Sequence, residues 1–321
     1  MHSYKELTAI FEKKFIASSP FPLSPATLYE PCRYLLGLGG KRVRPILCLM
    51  SNELFGEINE DAWNSAFAIE LFHNFTLIHD DIMDKAPLRR GSPTIHAKYG
   101  FTAGILCGDI MNIYSYDKLA NIENFLPQVM QLFNKTAIEV CEGQQLDMDF
   151  ETRNDVSIAQ YIHMITLKTS VLLACSLKLG AIVAGAMGDN ANKLYAFGKN
   201  LGIAFQLQDD YLDAFGKPDK LGKQKGGDIK ANKKTYLLLK ALENANGSQH
   251  KELEERLQSD DENKIPDVLS LFAAIGADTE CRQAVEHYSK SAFDCLEQIA
   301  VPAARKQPLF ELAQYLLQRD N

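Results

Sequence analysis

The chain has no CxxC pair and no even set of cysteines. Its seven, Cys32, Cys48, Cys107, Cys141, Cys175, Cys281 and Cys295, are scattered through 321 residues. That excludes a disulfide framework and a zinc knuckle, and points to reduced thiols in a cytoplasmic setting, used as small apolar fillers. There is no excess of positive charge either: 34 Lys and Arg face 41 Asp and Glu, for a net charge of −7. A general electrostatic case for nucleic acid is absent, so any site for a polyanion must be local. Strict apolar–polar alternation, internal repeats and low-complexity linkers are missing. The longest apolar run, VLLACSLKLGAIVAGAMG at 171–188, is interrupted by Lys178 and rich in small residues. It suits a closely packed core helix better than a membrane span. The opening MHSYKELTAIFEKKF is too polar for a signal peptide and has the pattern of an amphipathic helix.

What the chain does have is helical periodicity almost everywhere. Trp63, Phe67 and Leu71 recur at four-residue spacing, as do Phe197, Leu201 and Phe205 behind Leu194. Breaks fall at Pro20–Pro25, Gly37–Pro45, Pro87–Pro93, Gly185–Asn190, Gly216–Gly227 and Asn246–Pro266, the last strongly polar and read as a solvated helix plus a loop. The expectation is an all-α chain of about ten or more helices by ordinary helix lengths, in one domain over residues 1–321.

Two of the apolar helical runs end in the same acidic pattern: HDDIMD at 79–84 and QDDYLD at 208–213. Aspartates four apart share a helix face, so Asp80 aligns with Asp84 and Asp209 with Asp213. Carboxylates at a helix C-terminus oppose the macrodipole by about 0.3–1 kcal/mol each. One such cluster reads equally well as a solvated helix end; its repetition favours a function. Oxygen-only sites select hard cations, and magnesium, which bridges carboxylates to phosphates, fits better than zinc or calcium.

Direct anion donors accompany the carboxylates: GGKRVRP at 39–45, Arg89 and Arg90, Lys168 in LKTS, and GKQKGGDIKANK at 222–233. Taken singly, each is an ordinary solvated charge. Arginine forks nevertheless match phosphate oxygens bidentately. The adjacent His79 and Asp80 also spell the core of HD-type metal phosphohydrolases. That reading leaves the second acidic cluster and the basic loops unexplained.

The ordered set GGKRVRP, His73, DDIMD with RRG, GQQLD at 143–147, LKTS at 167–170, FQLQDDYLD, and GKQKGGDI with NKKTY resembles the trans-isoprenyl diphosphate synthases of the polyprenyl synthetase family. The resemblance implies an all-α isoprenoid-synthase bundle around a deep central cavity, normally a homodimer, with no nucleic-acid partner. It further implies Mg2+ as cofactor, and isopentenyl diphosphate with dimethylallyl, geranyl or farnesyl diphosphate as substrates. Carried onto this chain, Asp80, Asp84 and Asp209 bind the metal, supported by Asp81 and Asp213. Arg89, Lys168, Gln206, Lys223 and Lys233 contact the allylic diphosphate. Lys41, Arg44, His73 and Arg90 hold that of isopentenyl diphosphate, and Thr169 and Gln206 turn oxygen dipoles to an allylic cation. Asp147 and Gln144 support the cradle, and the glycine-rich stretch 216–227 reads as a lid. Class I terpene cyclases share only the first acidic motif. Non-catalytic synthase subunits typically lose one or both, whereas both are intact here.

Product length is expected to depend on Phe72, Phe75 and Thr76, which lie one to two helical turns before Asp80, about 5.4 Å per turn. The first motif lacks the two-residue insertion of bacterial farnesyl enzymes, and Thr76 is small. The pattern resembles geranylgeranyl diphosphate synthases, with a farnesyl product as the alternative. The C-terminal LLQRDN, with a single Arg319, is a poor match to the basic tail of some relatives.

Overall fold

The computed structural model describes residues 1–18, 20–186, 188–216, 226–259 and 261–318. These gather into two compact units. The first comprises 1–135, 175–195 and 299–309; the second comprises 136–174, 196–298 and 310 onward. Helix dominates both, as expected from the periodicity.

In the first unit, α1 (Tyr4–Ala17) is opened by a capping box between Ser3 and Glu6 and buries Leu7, Phe11 and Phe15, one residue per turn. Next come α2 (Ala26–Gly37), α3 (Val43–Glu53) and α4 (Glu60–Met83), the last capped by the Asn59 side chain on the Ala62 N–H at 2.8 Å. A short α5 (Ile95–Tyr99) leads into α6 (Phe101–Ala120), which packs along α4. Two glycines permit that approach: a Cβ on Gly104 would lie 2.8 Å from Ile82, and one on Gly108 would lie 2.3 Å from the His79 ring. The last turns of α4, which carry the first acidic cluster, are thereby set against α6.

The helix then stops in a Schellman arrangement. Ala86 N–H donates to Asp81 O at 2.9 Å, Lys85 N–H donates to Ile82 O at 3.3 Å, and Lys85 is left-handed at φ 52°. A two-residue ladder not foreseen in the sequence follows, β1 (Leu88–Arg89) against β2 (Ser92–Pro93), with Arg89 opposite Ser92. Its turn residues Arg90 and Gly91 both have positive φ, 53° and 74°. Such a turn matches the strand twist, and it aims Arg89 and Arg90 in different directions.

α7 (Leu126–Thr152), α8 (Ile158–Ile165), α9 (Val171–Val183) and α10 (Asp189–Phe215) follow. Within the first unit, the end of α9 lies on α3. A Cβ on Gly180 would come 2.0 Å from Cys48 O, Ser51 Oγ donates to Leu177 O at 2.5 Å, and Asn52 Nδ2 donates to Gly180 O at 3.1 Å. Among the described residues, only the helical stretch Ile158–Val183 is long and apolar enough to cross a membrane, and 78% of its apolar window is buried.

In the second unit, residues 166–170 (TLKTS) form a π-helical turn between α8 and α9. Two more glycines explain its seating: a Cβ on Gly143 would lie 2.3 Å from Lys168 N, and one on Gly202 would lie 2.6 Å from Ser170 Cα. Among the described residues six further helices follow α10: Gly227–Lys230, Tyr236–Asn244, Gly247–Gln258, Lys264–Ile275, Ala277–Glu297 and, divided between the units, Ala303–Leu317. Leu207, Leu237, Leu253, Val268, Phe272 and Cys281 form the centre of this unit's core. The polar stretch after Asn246 is a capped helix followed by a break, as expected.

Candidate active site

In the first unit, the GGKRVRP segment divides its charges between structure and surface. Arg42, left-handed at φ 50°, is buried. It donates from Nη1 to Glu70 Oε1 at 2.5 Å, from Nε to Glu12 Oε1 at 2.8 Å and from Nη2 to Leu36 O at 3.0 Å. Asn74 Nδ2 donates to the same Glu70 oxygen at 2.9 Å. This network fixes the loop. Lys41 is exposed, and its carbonyl accepts from Tyr4 Oη.

Arg44 faces His73, with Nη1 3.3 Å from Nε2. Burial, then the positive charges of Arg44, Arg90, Arg89 and Arg42, push His73 well below its usual value. The imidazole is therefore neutral and accepts from Arg44. Burial also lowers Arg44 to about 10, opposed by Glu70. Its Nε–H is enclosed with no hydrogen-bond partner. An unmet buried donor costs about 1–3 kcal/mol, more on a charged group, so the site gains from an incoming anion. Arg90 lies across Gly40, where a Cβ would come 2.9 Å from its guanidinium, and Nη1 donates to Gly39 O. The glycine pair thus makes room for an arginine delivered by the hairpin turn.

Arg89 turns the other way. Its Nε donates to Asp81 Oδ2 at 2.8 Å and Nη2 to Asp80 Oδ2 at 3.4 Å. Asp81 is buried, which raises its pKa against the lowering effect of Arg89, and its Oδ1 is enclosed without a hydrogen-bond partner. Asp80 is half-buried, and Asp84, the last residue of the helix end, is exposed. The carboxylates and the following arginines therefore pair in part, through Arg89, while Arg90 joins the Arg44 cluster. His79 belongs to neither group: Nε2 lies 3.2 Å from Ile105 O and 3.8 Å from Asp109, over Gly108.

In the second unit, Asp147, Lys168, Thr169, Gln206, Asp210, Asp228 and Lys233 line a cavity of about 120 Å3. Lys168 Nζ donates to Asp147 Oδ2 at 2.6 Å, and Thr169 Oγ1 donates to Gln206 Oε1 at 3.2 Å. The π-turn supplies both Lys168 and Thr169; such turns are frequent at functional sites. Asp209 is half-buried on α10. Asp213 caps the helix at 227, accepting from Asp228 N–H at 3.0 Å while its carbonyl accepts from Gly226 N–H at 2.8 Å. Lys223 lies outside the described residues, as do most of the expected lid (217–225) and Arg319. Gln144, expected in the cradle, does not line the cavity, and its Nε2 is enclosed without a partner.

Sequence reasoning passed over two residues here. Asp210, the middle carboxylate of DDYLD, is buried and accepts from Tyr161 Oη, from Tyr236 N–H at 3.3 Å and from Gln206 Nε2 at 3.2 Å. Its doubled aspartate was in plain view. Tyr161, a buried tyrosine on the apolar α8, carried no signal beyond its hydroxyl.

Among the described residues, no three His, Cys, Asp or Glu side chains converge tightly enough to hold an ion alone. A magnesium ion does not require that. It binds through one or two carboxylates and completes its octahedron with waters and substrate phosphates. Asp80 and Asp84 in the first unit, and Asp209 in the second, each offer the oxygen-only donors that such an ion takes.

Four of the five described non-glycine residues with positive φ, Arg42, Lys85, Arg90 and Asn232, sit in or beside these motifs. Each costs of order 1–2 kcal/mol, and such strain tends to collect at functional sites.

Comparison with known proteins agrees with this picture. The polyprenyl synthetase family model matches residues 25–275. A geranylgeranyl diphosphate synthase of Methanosarcina mazei is 43% identical over 222 residues, 68% of each chain. A short chain isoprenyl diphosphate synthase of Methanothermobacter thermautotrophicus is 36% identical over 310 residues, 95% of this chain and 94% of the relative. A crystal structure of a geranylgeranyl pyrophosphate synthase superposes with a TM-score of 0.95 at 44% identity and full coverage of both chains. An all-α fold, two acidic helix ends beside built anion donors, and a family match over most of its length place this chain in the polyprenyl synthetase family.

Proposed function

We propose that the protein condenses isopentenyl diphosphate with an allylic diphosphate to form a short-chain all-trans prenyl diphosphate, geranylgeranyl diphosphate being the product. The observation that carries this reading is the twice-repeated acidic helix end, each accompanied in its own unit by preset cationic donors. Arg44, with its enclosed Nε–H, Arg90, Lys41 and the neutral His73 hold the diphosphate of isopentenyl diphosphate. Lys168, Lys233, Lys223, Arg89 and Gln206 serve the allylic diphosphate.

Asp80 and Asp84 of the first unit and Asp209 of the second, with Asp81 and Asp213 in support, would hold magnesium, which when bound would supply positive charge against the leaving diphosphate. The protein's own cations act in the same sense, and their effect grows as the C–O bond lengthens. Thr169 and Gln206 turn oxygen atoms toward the allylic cation, which the double bond of isopentenyl diphosphate attacks. The proton lost in that step passes to the released diphosphate. Apolar walls keep out water that would trap the cation as an alcohol.

Product length follows from α4. Phe72 is fully buried against Phe75 (5.5 Å) and Phe133 (5.2 Å), which makes it a backing wall, while Phe75 and Thr76 remain partly accessible. The Thr76 hydroxyl donates to His73 O at 2.8 Å. A small residue there leaves room for a longer tail.

The chain acts as one catalytic domain in a cytoplasmic homodimer. Ile105, Leu106 and Ile113 lie exposed along one side of α6, an apolar strip suited to a second copy. The direct test is release of inorganic diphosphate. It should require isopentenyl diphosphate, an allylic primer and magnesium together. Release from the primer alone at the same rate would identify a phosphohydrolase instead.

A further inference from the structure

A line of hydrogen bonds runs from the core of the second unit to the cavity, and its direction is set at one end. Tyr161 Oη donates to Asp210 Oδ2, which also accepts from Tyr236 N–H at 3.3 Å. The other carboxylate oxygen, Oδ1, accepts from Gln206 Nε2 at 3.2 Å. Gln206 Oε1 then accepts from Thr169 Oγ1 at 3.2 Å. A carboxylate only accepts, so Gln206 must turn its amide N–H toward Asp210 and its oxygen toward Thr169. The threonine hydroxyl must then spend its hydrogen on Gln206, which leaves its lone pairs facing the cavity.

We propose that Asp210 and Tyr161 are positioning residues that fix the sense of the Gln206–Thr169 hydrogen bond, so that oxygen lone pairs rather than N–H or O–H hydrogens face the allylic cation. The proposal rests on the prenyl-transfer reading above and assigns its polarity to two cavity-lining residues to which that reading gives no role. Asp210 and Gln206 are one helical turn apart on α10, and the Tyr161 hydroxyl and Tyr236 N–H clamp the carboxyl from two other helices. Both carboxylate oxygens accept, so the clamp sets position: it holds Oδ1 against Gln206 Nε2.

The test reverses the relay without removing its atoms. In Asp210→Asn, the new amide oxygen accepts from Tyr161 and Tyr236, and its N–H2 faces Gln206. Gln206 must flip, Thr169 becomes the acceptor, and hydroxyl hydrogen points at the cation. The expected result is a fall in kcat of roughly 10²-fold, the scale for one preorganised dipole, with KM for both substrates within a few-fold of wild type. Binding of a sulfonium analogue of the allylic cation should weaken in parallel with kcat, while binding of inorganic diphosphate stays unchanged. Tyr161→Phe, which keeps the ring and lets the carboxyl shift from Gln206, should lower kcat in the same direction, and it stands in if Asp210→Asn does not fold. Asp210→Asn with normal kcat, a raised KM at normal kcat, or undiminished binding of the analogue would overturn the relay. Absence of any prenyl product from the wild-type enzyme would instead overturn the functional reading itself.

Discussion

The π-turn that carries Lys168 and Thr169 depends on a glycine in a different helix, and Gly143→Ala tests that dependence. A Cβ at 143 would stand 2.3 Å from Lys168 N, 2.7 Å from Leu167 C and 2.8 Å from Leu167 Cβ. Ordinary contact begins near 3.4 Å, so the shortfall at Lys168 is about 1 Å, and two of the three atoms are backbone. No rotamer change relieves it; the turn or α7 must shift. Overpacking of this kind costs about 1–3 kcal/mol, against a helix-propensity gain of about 1 kcal/mol for alanine over glycine. The larger effect should be on rate, because a displacement near 1 Å in a positioned group can cost about 10²-fold. Gly247→Ala is the matched control, with nothing within 4 Å of its Cβ at the start of a helix. Urea unfolding followed by circular dichroism and steady-state kinetics on both variants separate the terms. Gly143→Ala with wild-type turnover, or losing no more than Gly247→Ala, would refute the argument that this glycine seats the catalytic turn.

Other consequences are as direct. Glu70→Gln leaves Arg42 buried with only Glu12 as a charged partner and should destabilise by about 3 kcal/mol, the low end for breaking a buried pair; a urea midpoint unchanged from wild type would contradict it. Thr76→Phe should shorten the product by filling the space before Asp80, and an unchanged product length would place the limiting wall elsewhere. Because His73 is held well below its usual 6.5, the unfolded chain binds a proton there that the folded chain refuses. Stability from this group is present above about pH 6.5 and lost as pH falls below it. His73→Gln should flatten the drop in urea midpoint between pH 7 and 5.5; an identical drop would show that His73 does not carry it.

Much of this was legible in the residues, for a physical reason in each case. Periodic burial made α1, α4 and α10 readable, because long helices repeat their signal every turn. The two acidic helix ends stood out because they break the preference for cations at helix C-termini. The hairpin at 88–93 was invisible, since two residues per strand cannot show alternation, though Arg90–Gly91 hints at its turn. The π-turn was equally hidden: LKTS reads as continuous helix, and its cause lies in Gly143 and Gly202, far away in sequence. Nor could sequence sort the charges of GGKRVRP, where Arg42 turns into the core and Arg44 stays at the site. Tyr161 could not be singled out, because its role comes from one hydroxyl meeting one carboxylate 49 residues later.

The most direct test of the account is chromatography of the products formed from isopentenyl diphosphate and each allylic primer, by wild type, Asp80→Ala and Asp209→Ala, with magnesium and with chelator. The expected outcome is a twenty-carbon prenyl diphosphate made only by wild type with magnesium, while both variants keep their helical circular dichroism and make none. Full synthesis by either variant, or by wild type in chelator, would contradict the assignment of these two carboxylates to the catalytic metal.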